Sequence, residues 1–266
     1  MANCNSLVRT VQTVGVLLGV LLGCRRRMAV VVPRAVAVAG CDSPYLPVHE
    51  GARWTYDVRY EGMPTPNDAG TVDGRFSQAI TRVHPGGFEM EQRWPYVTQT
   101  VPWACRADGL VPLQRGGPAT QSSLEGNGTM TFTTESVEGV AIPIPWPSLG
   151  GSWNVLYRVR GEARSPTGAQ VVSRSVYAST FTVAAYESVV VAGRTYDTVR
   201  LRVTNTIHTD VTASDRPGRS TSTLTEEGSS WYAAGVGWVR SALTTHGPRG
   251  EPVQSVTELY RFAPGE

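Results

Sequence analysis

Apolar and polar side chains alternate along most of the chain beyond residue 44. Three runs show this most clearly, and their apolar members are Trp54, Tyr56, Val58 and Tyr60, then Trp153, Val155, Tyr157 and Val159, then Val199, Leu201 and Val203. A period of two places successive side chains on opposite faces of an extended strand, so each run predicts a strand with one buried face and one solvent-exposed face. This pattern is typical of antiparallel sheet rather than of a parallel sheet covered on both sides.

Turn-forming residues separate the alternating runs. Clusters of Gly, Pro, Asn or Asp occur at 84–87, 107–109, 126–128, 165–168, 192–194 and 247–250. They predict consecutive hairpins, and the runs beside Ser165 and Gly193 predict strands of roughly ten residues or more. Because long strands twist and coil, the sequence predicts an all-β fold built as a large curved antiparallel meander sheet, either a half-barrel or an open barrel.

The alternating region, residues 44–264, is predicted to be a single β domain. Two polar stretches interrupt it: 115–128 is a candidate linker or long loop, and 212–230 is predicted to be a mobile excursion. Residues 51–59 resemble residues 151–160, since both runs open on Gly and place Trp at the start of a strand. Two similar halves meeting near 115–150 are therefore an alternative, although two independent strands would look the same.

Residues 1–41 are predicted to be a lipoprotein signal peptide and tether that begins with a signal helix. Arg9 precedes an apolar run at 11–22, which is shorter than the roughly 20 residues that a transmembrane helix needs. The run ends in Leu-Leu-Gly-Cys, which resembles a bacterial lipobox and makes Cys24 the candidate for lipidation. Val-Ala-Gly-Cys at 38–41 makes Cys41 the alternative, and an uncleaved membrane anchor is the third possibility.

Lipidation of either cysteine predicts an exported protein, held at the cell membrane by its acyl chains and facing the periplasm or the cell exterior. The membrane is thus the first predicted partner. If Cys24 is lipidated, Cys105 has Cys41 as its one plausible disulfide partner. If Cys41 is lipidated, Cys105 remains a single, buried thiol.

Charge and composition exclude several functions. Removing the first 40 residues deletes five arginines and no acid from totals of 24 and 22, so the mature chain would carry a formal charge of −3. A domain of that charge has no electrostatic footprint for nucleic acid. Every basic residue is Arg, which excludes Schiff-base and P-loop chemistry because both need a Lys amine.

The sequence predicts no catalytic residue, no metal ligand set and no cofactor, so the protein is not expected to be an enzyme. No His-Glu-x-x-His, Gly-x-Ser-x-Gly or Gly-x-Gly-x-x-Gly occurs. His208 and Asp210 share a strand face, but no third ligand accompanies them, which favours a solvated polar surface. Glu226 and Glu227 are adjacent, so on a strand they point to opposite faces.

Three segments resemble those of a family of uncharacterised bacterial lipoproteins, the TapB-like domain-of-unknown-function family. That family in turn resembles periplasmic lipoprotein carriers with a half-barrel fold. The segments are the aromatic-Pro opening with Gly-Ala-Arg-Trp-Thr-Tyr at 51–56, the turn Val-Ala-Gly-Arg-Thr-Tyr at 191–196, and Trp-Tyr-Ala-Ala-Gly-Val-Gly-Trp at 231–238. The resemblance implies a curved sheet and carries no chemistry of its own.

Aromatic side chains provide the candidate binding residues. On a half-barrel, six of them are predicted to line the concave face and bind a lipid or other hydrophobic ligand: Trp54, Tyr56, Trp153, Tyr157, Trp231 and Trp238. Filling of the core by the same bulky side chains is the competing interpretation. The alternative function is a structural or interaction lipoprotein of an envelope or pilus assembly, with a protein partner that the sequence does not identify and no small ligand.

Overall fold

The structure is a computed structural model that describes residues 41, 43–61, 71–95, 97–115, 119–120, 129–165, 167–247 and 252–265. The predicted signal helix, Cys24 and most of the candidate linker at 115–128 lie outside these residues. In the described part the chain forms strands and no helix, and no helix there is long and apolar enough to cross a membrane.

Fourteen strands make up the described fold. Their bounds are β1 Arg53–Glu61, β2 Thr71–His84, β3 Gly87–Trp94, β4 Val97–Arg106, β5 Gly109–Pro112, β6 Ala119–Thr120, β7 Thr129–Gly139, β8 Ile142–Pro143, β9 Ser152–Arg164, β10 Gln170–Val191, β11 Arg194–Ala213, β12 Arg216–Ala233, β13 Gly237–His246 and β14 Val253–Ala263.

All fourteen strands belong to one curved, unclosed sheet in which every described pair is antiparallel. Their order is β6-β7-β9-β10-β11-β12-β13-β14-β1-β2-β3-β4-β5-β8. Neighbours along the chain are neighbours in the sheet from β9 to β14 and again from β1 to β5, which confirms the predicted meander. The predicted all-β fold class is confirmed with it.

The two faces of the sheet differ as the alternation predicts. Along β1 and β9, buried residues alternate with exposed or half-buried ones. The outer face instead carries cross-strand ion pairs, such as Arg59 with Glu258 at 2.6 Å and Arg75 with Asp57 at 2.7 Å. These pairs are well exposed to solvent, so the burial of the inner face and not the ion pairs stabilises the sheet.

β10 and β11 are the longest strands, at 22 and 20 residues. Their pairing confirms the long strands predicted beside residue 193. The prediction of a mobile excursion at 212–230 is wrong, because β12 occupies most of this stretch and pairs with β11. Its Ser and Thr residues suit a strand that is solvated on the outside, since Thr is β-branched and fits a pleated surface.

The largest part of the core lies where residues 43–52 pack across the starts of β1 and β13. We call this the closed end of the sheet. Leu46, Val48 and Ala52 are buried there against Trp54 and other side chains of β1. The backbone N–H of Gly235 donates to the carbonyl of Pro44 at 2.7 Å, which holds the segment against the β12–β13 turn. The opposite, open end carries the 165–169 and 214–215 turns.

The two edges of the sheet meet along a seam. β7 lies beside one edge and β8 forms the other, yet only Val140 and Ala141 separate these strands in the chain. The strand ladder is not continuous across the seam. The N–H of Arg115 donates to the Thr134 hydroxyl at 2.8 Å, and the Gln114 side-chain amide donates to the carbonyl of Phe132 at 3.0 Å.

A disulfide joins Cys41 to Cys105 of β4, with their Cα atoms 5.1 Å apart. It links the start of the segment that covers the closed end, residues 43–52, to strand β4. The bond also bears on lipidation, because one sulfur cannot form both a disulfide and a thioether. The alternative lipidation site, Cys41, is therefore unavailable in the disulfide-bonded protein. A disulfide is typical of an oxidising compartment outside the cytosol.

We predict that the Cys41→Ala/Cys105→Ala variant loses stability. The disulfide spans 64 residues of sequence, and closing a loop of that length lowers the entropy of the unfolded chain by an amount equivalent to about 4 kcal/mol. Urea denaturation of the variant and of the oxidised parent would measure the loss. The reduced parent should behave like the variant, and equal midpoints for all three would contradict the prediction.

A second prediction concerns alkaline pH. Burial raises the pKa of Tyr232 to about 12 and that of Tyr56 well above its ordinary value of 10.0. Both phenols stay neutral in the folded protein, whereas an unfolded tyrosine ionises near pH 10. Below pH 10 the phenols are neutral in both the folded and the unfolded chain, and burying them costs no ionisation energy. Above pH 10 ionisation favours the unfolded chain, so the free energy of unfolding should fall as the pH rises from about 10 through about 12.

Phenolate absorbance and urea midpoints, followed over this range, would test it. The matched variant is Tyr56→Phe, which keeps the ring and removes one titrating hydroxyl. Its stability should depend less steeply on alkaline pH than that of the parent. Full ionisation of all tyrosines near pH 10 in a protein that remains folded would contradict the prediction.

Candidate functional site

Trp54 and Tyr56, two of the predicted ligand-binding residues, lie deep in the core. Each is 1% exposed. The indole N–H of Trp54 donates to the carbonyl of Val236 at 2.6 Å, and the Tyr56 hydroxyl donates to the carbonyl of Trp238 at 3.1 Å. These bonds join β1 to the β12–β13 turn and to β13, so both side chains are fully engaged in holding the closed end together.

The other four predicted residues are divided between the core and the outer face. Trp153 and Tyr157 are buried in two further core clusters, and half-buried Trp238 packs its ring 4.7 Å from that of Tyr56. Trp231, on the outer face, is half-buried, packs against the same core cluster as Trp54, and donates its indole N–H to Glu187 at 2.7 Å. Four of the six residues therefore belong to or pack against one core cluster, the other two lie in separate clusters, and ligand binding by the six stays a prediction.

The inner face continues beyond the filled core, toward the open end, on β10, β11 and β12. Tyr177, Ile207 and Leu224 pair across these strands in register, so they form one row on the same face. We call them the mouth row. All three are half-buried, unlike Trp54 and Tyr56 at the closed end. The mouth row is thus apolar surface that retains contact with solvent.

Next to the mouth row, one step toward the core, lies a hydrogen-bonded polar row centred on Glu226. The Asn205 amide donates to Glu226 Oε2 at 2.6 Å, and the Thr245 hydroxyl donates to Oε1 at 3.2 Å. Burial, and to a lesser extent the charge of Glu226, raises the pKa of Tyr60 on β1. We call Glu226, Asn205, Thr245 and Tyr60 the Glu226 cluster. Glu227 points to the outer face, as predicted from its position beside Glu226.

Arg115 stands at the seam, beside the mouth row. Its guanidinium lies 5.4 Å from the ring centre of Tyr157 and 5.2 Å from that of Tyr177. Burial raises the pKa of Tyr157 to about 12, and the charge of Arg115 opposes part of that rise. An exposed cation held by two aromatic rings adds a positive group to the border of this surface.

His208 and Asp210 lie on the outer face, where the shared face was predicted. Asp210 is bound by Arg219 and by the Thr221 hydroxyl at 2.8 Å, while His208 Nε2 is 3.7 Å from its carboxylate. The hydrogen bond from Arg219 is the main cause that lowers the pKa of Asp210. Among the described residues, no group of three potential ligands is placed to hold a metal ion.

The mouth row and the Glu226 cluster together form the candidate site, which we call the mouth face. It joins apolar surface to a few fixed polar groups, an arrangement that is common in ligand-binding sites. Sequence reasoning missed it because 212–230 was taken as an excursion. The sequence did contain a signal for it. Val203, Ile207 and Leu224 are apolar residues within Thr-rich runs, and the first two lie an even number of positions apart.

The chain matches no protein-family model and no curated protein. The resemblance to the TapB-like family therefore stays a prediction. Two solved structures are similar to the chain at low identity. One, from Bacteroides fragilis, is provisionally named an exported protein with a YmcC-like fold; it is 12% identical, with a TM-score of 0.44, over 84% of this chain and 100% of that one. The other, provisionally named a lipoprotein, from Parabacteroides distasonis, is 15% identical, with a TM-score of 0.40, over 84% and 99%.

Proposed function

We propose that the protein is an exported, membrane-anchored lipoprotein without catalytic activity that binds a lipid or other hydrophobic ligand on the mouth face. The observation that carries this proposal is the half-buried row of Tyr177, Ile207 and Leu224 on the concave side of the sheet. Binding a ligand there would remove apolar surface from water at roughly 25 cal/mol per Å².

The Glu226 cluster indicates how such a ligand would be oriented. The Glu226 carboxylate accepts hydrogen bonds from Asn205 and Thr245 and has lone pairs left for another donor. A ligand hydroxyl or amine would meet that requirement, with its hydrocarbon part lying along the mouth row. The site therefore favours an amphipathic ligand over a purely apolar one.

The anchor in this proposal is Cys24. Cys41 is joined to Cys105, so of the two lipobox-like sequences we assign the anchor to the first, whose cysteine is not part of that bond. Several acyl chains on one cysteine would hold the domain stably at a membrane.

A structural or interaction lipoprotein is the second candidate function. β12 begins at Arg216, whereas its described pairing with β13 starts only at Thr225. Residues 216–224 thus form a strand that pairs with β11 on one side and has no described strand on the other. Such an edge is suited to adding an extended segment of a partner protein.

Native mass spectrometry of the full chain, made in a bacterial envelope, would test ligand binding. We expect a noncovalent lipid at a ratio of one to one, removable by organic extraction. Leu224→Arg should abolish it, because a charge would then occupy the mouth row. The matched control is Thr223→Arg, which puts the same charge on the outer face of the same strand and should leave the lipid bound.

A ligand-free mass for the parent after incubation with envelope lipids would contradict lipid binding and favour the interaction lipoprotein. Equal loss of lipid in both Arg variants would place the ligand elsewhere than on the mouth face. Circular dichroism of each variant would establish that the sheet is intact.

Metabolic labelling with palmitate would test the anchor. We expect Cys24→Ala to abolish incorporation, because that variant loses the acylated sulfur, and Cys41→Ala to retain it. Cys105→Ala serves as the control for loss of the disulfide alone and should label like Cys41→Ala. Incorporation that survives in Cys24→Ala but disappears in Cys41→Ala would contradict the assignment.

A further inference from the structure

Large apolar side chains are exposed at the closed end of the sheet. Leu149 is 62% exposed, Tyr186 58% and Val190 64%. The N–H of Gly150, next to Leu149, donates to the carbonyl of Val183 at 2.9 Å, which places Leu149 beside β10 three residues before Tyr186. Tyr186 and Val190 are four residues apart on the same strand and so share a face.

Aromatic side chains adjoin these exposed residues. The ring of Tyr45 lies 4.3 Å from that of Trp146, which belongs to the same segment as Leu149. Burial, and then the neighbouring Tyr186 phenol, raises the pKa of Tyr45. We call Leu149, Tyr186, Val190, Tyr45 and Trp146 the end patch. Next to it, the exposed Arg194 follows the β10–β11 turn.

The tether reaches the domain at this same end. Cys41 is 2% exposed and is fixed by its disulfide, and Pro44 accepts the hydrogen bond from Gly235. Between Cys24 and Cys41 lie 16 residues. Even fully extended, that length of chain spans only about 60 Å. An anchor at Cys24 would therefore keep the end patch at a high effective concentration near the lipid surface.

We propose that the end patch docks on the membrane to which the protein is anchored, with Leu149, Tyr186 and Val190 entering the lipid interface. This inference rests on the proposed anchor at Cys24. Tyr and Trp side chains favour the interface because one end is apolar and the other polar, and Arg194 is placed to meet anionic headgroups. The mouth face, at the opposite end of the same strands, would then point away from the membrane.

Environment-sensitive probes on the full-length, lipidated protein would test the docking. A probe is attached at Leu149→Cys or Val190→Cys, with Thr167→Cys in the open-end turn as the matched control. The introduced thiol is the reactive one, because Cys41 and Cys105 are joined and Cys24 is acylated. The protein is bound to vesicles of phosphatidylethanolamine and phosphatidylglycerol that contain brominated acyl chains.

We expect the probes at 149 and 190 to shift to the blue and to be quenched by the brominated chains, while the probe at 167 remains in water. Equal, aqueous spectra at all three positions in vesicle-bound protein would overturn the docking and leave the anchor intact. Failure of the protein to sediment with vesicles would instead overturn the anchor itself. Probes that are protected only in protein-containing envelope fragments would identify a protein as the occupant and also overturn lipid docking.

A second measurement separates docking from probe effects. In a chain that begins at Cys41, which lacks both the apolar run at 11–22 and Cys24, the end patch alone should give weak partition into the same vesicles. Leu149→Asp should lower that partition about tenfold, because an inserted leucine becomes a charge, whereas Thr167→Asp should not change it. Partition that is unaffected by Leu149→Asp would contradict insertion of the end patch.

Discussion

The fold depends on a constraint of chain length at the seam: two residues, Val140 and Ala141, connect a strand beside one edge of the sheet to the strand that forms the other edge. A flat sheet of fourteen strands, spaced about 4.8 Å apart, would hold its edges tens of ångströms from each other. Two residues cannot span that distance. The sheet must therefore curve until its edges adjoin, and one face becomes an enclosed interior. The burial of the aromatic side chains at the closed end is a consequence of that curvature.

The sequence predicted most of the strands and hairpins of this sheet, but it did not predict how the two edges of the sheet come together. Alternation identified β1, β9 and β11, and turn residues located the hairpins near 85, 108 and 192, because both signals act between neighbours in the chain. The stretch 212–230 was misjudged, since its Ser and Thr residues resemble a loop in composition although they alternate along β12. The seam could not be predicted, because nothing local in Val140 or Ala141 shows that two edges meet there.

The proposed site lies apart from the residues that the sequence predicts to bind a ligand, and binding by those residues stays a prediction. Alternation correctly placed Trp54, Tyr56, Trp153 and Tyr157 on the inner face, yet it could not distinguish the filled half of that face from the solvated half. That distinction depends on contacts far apart in sequence, such as the bond from Trp54 to Val236, 182 residues away. Apolar residues in polar surroundings, Ile207 and Leu224, were the better indicators of accessible surface. The proposed functions of the two ends of the sheet follow from this division.

The disulfide also determines how the protein would carry a mechanical load. If the proposed anchor at Cys24 holds the protein, a pull on it would reach the domain at Cys41 and pass through the sulfur bridge directly to Cys105 in β4. The residues between the two cysteines, including the covering segment and β1 to β3, lie outside that force path. The hydrogen bonds that seal the closed end, from Gly235 to Pro44 and from Trp54 to Val236, are thus protected from tension. Tension on the proposed anchor would therefore load strand β4 and leave residues 43–52 packed over the closed end.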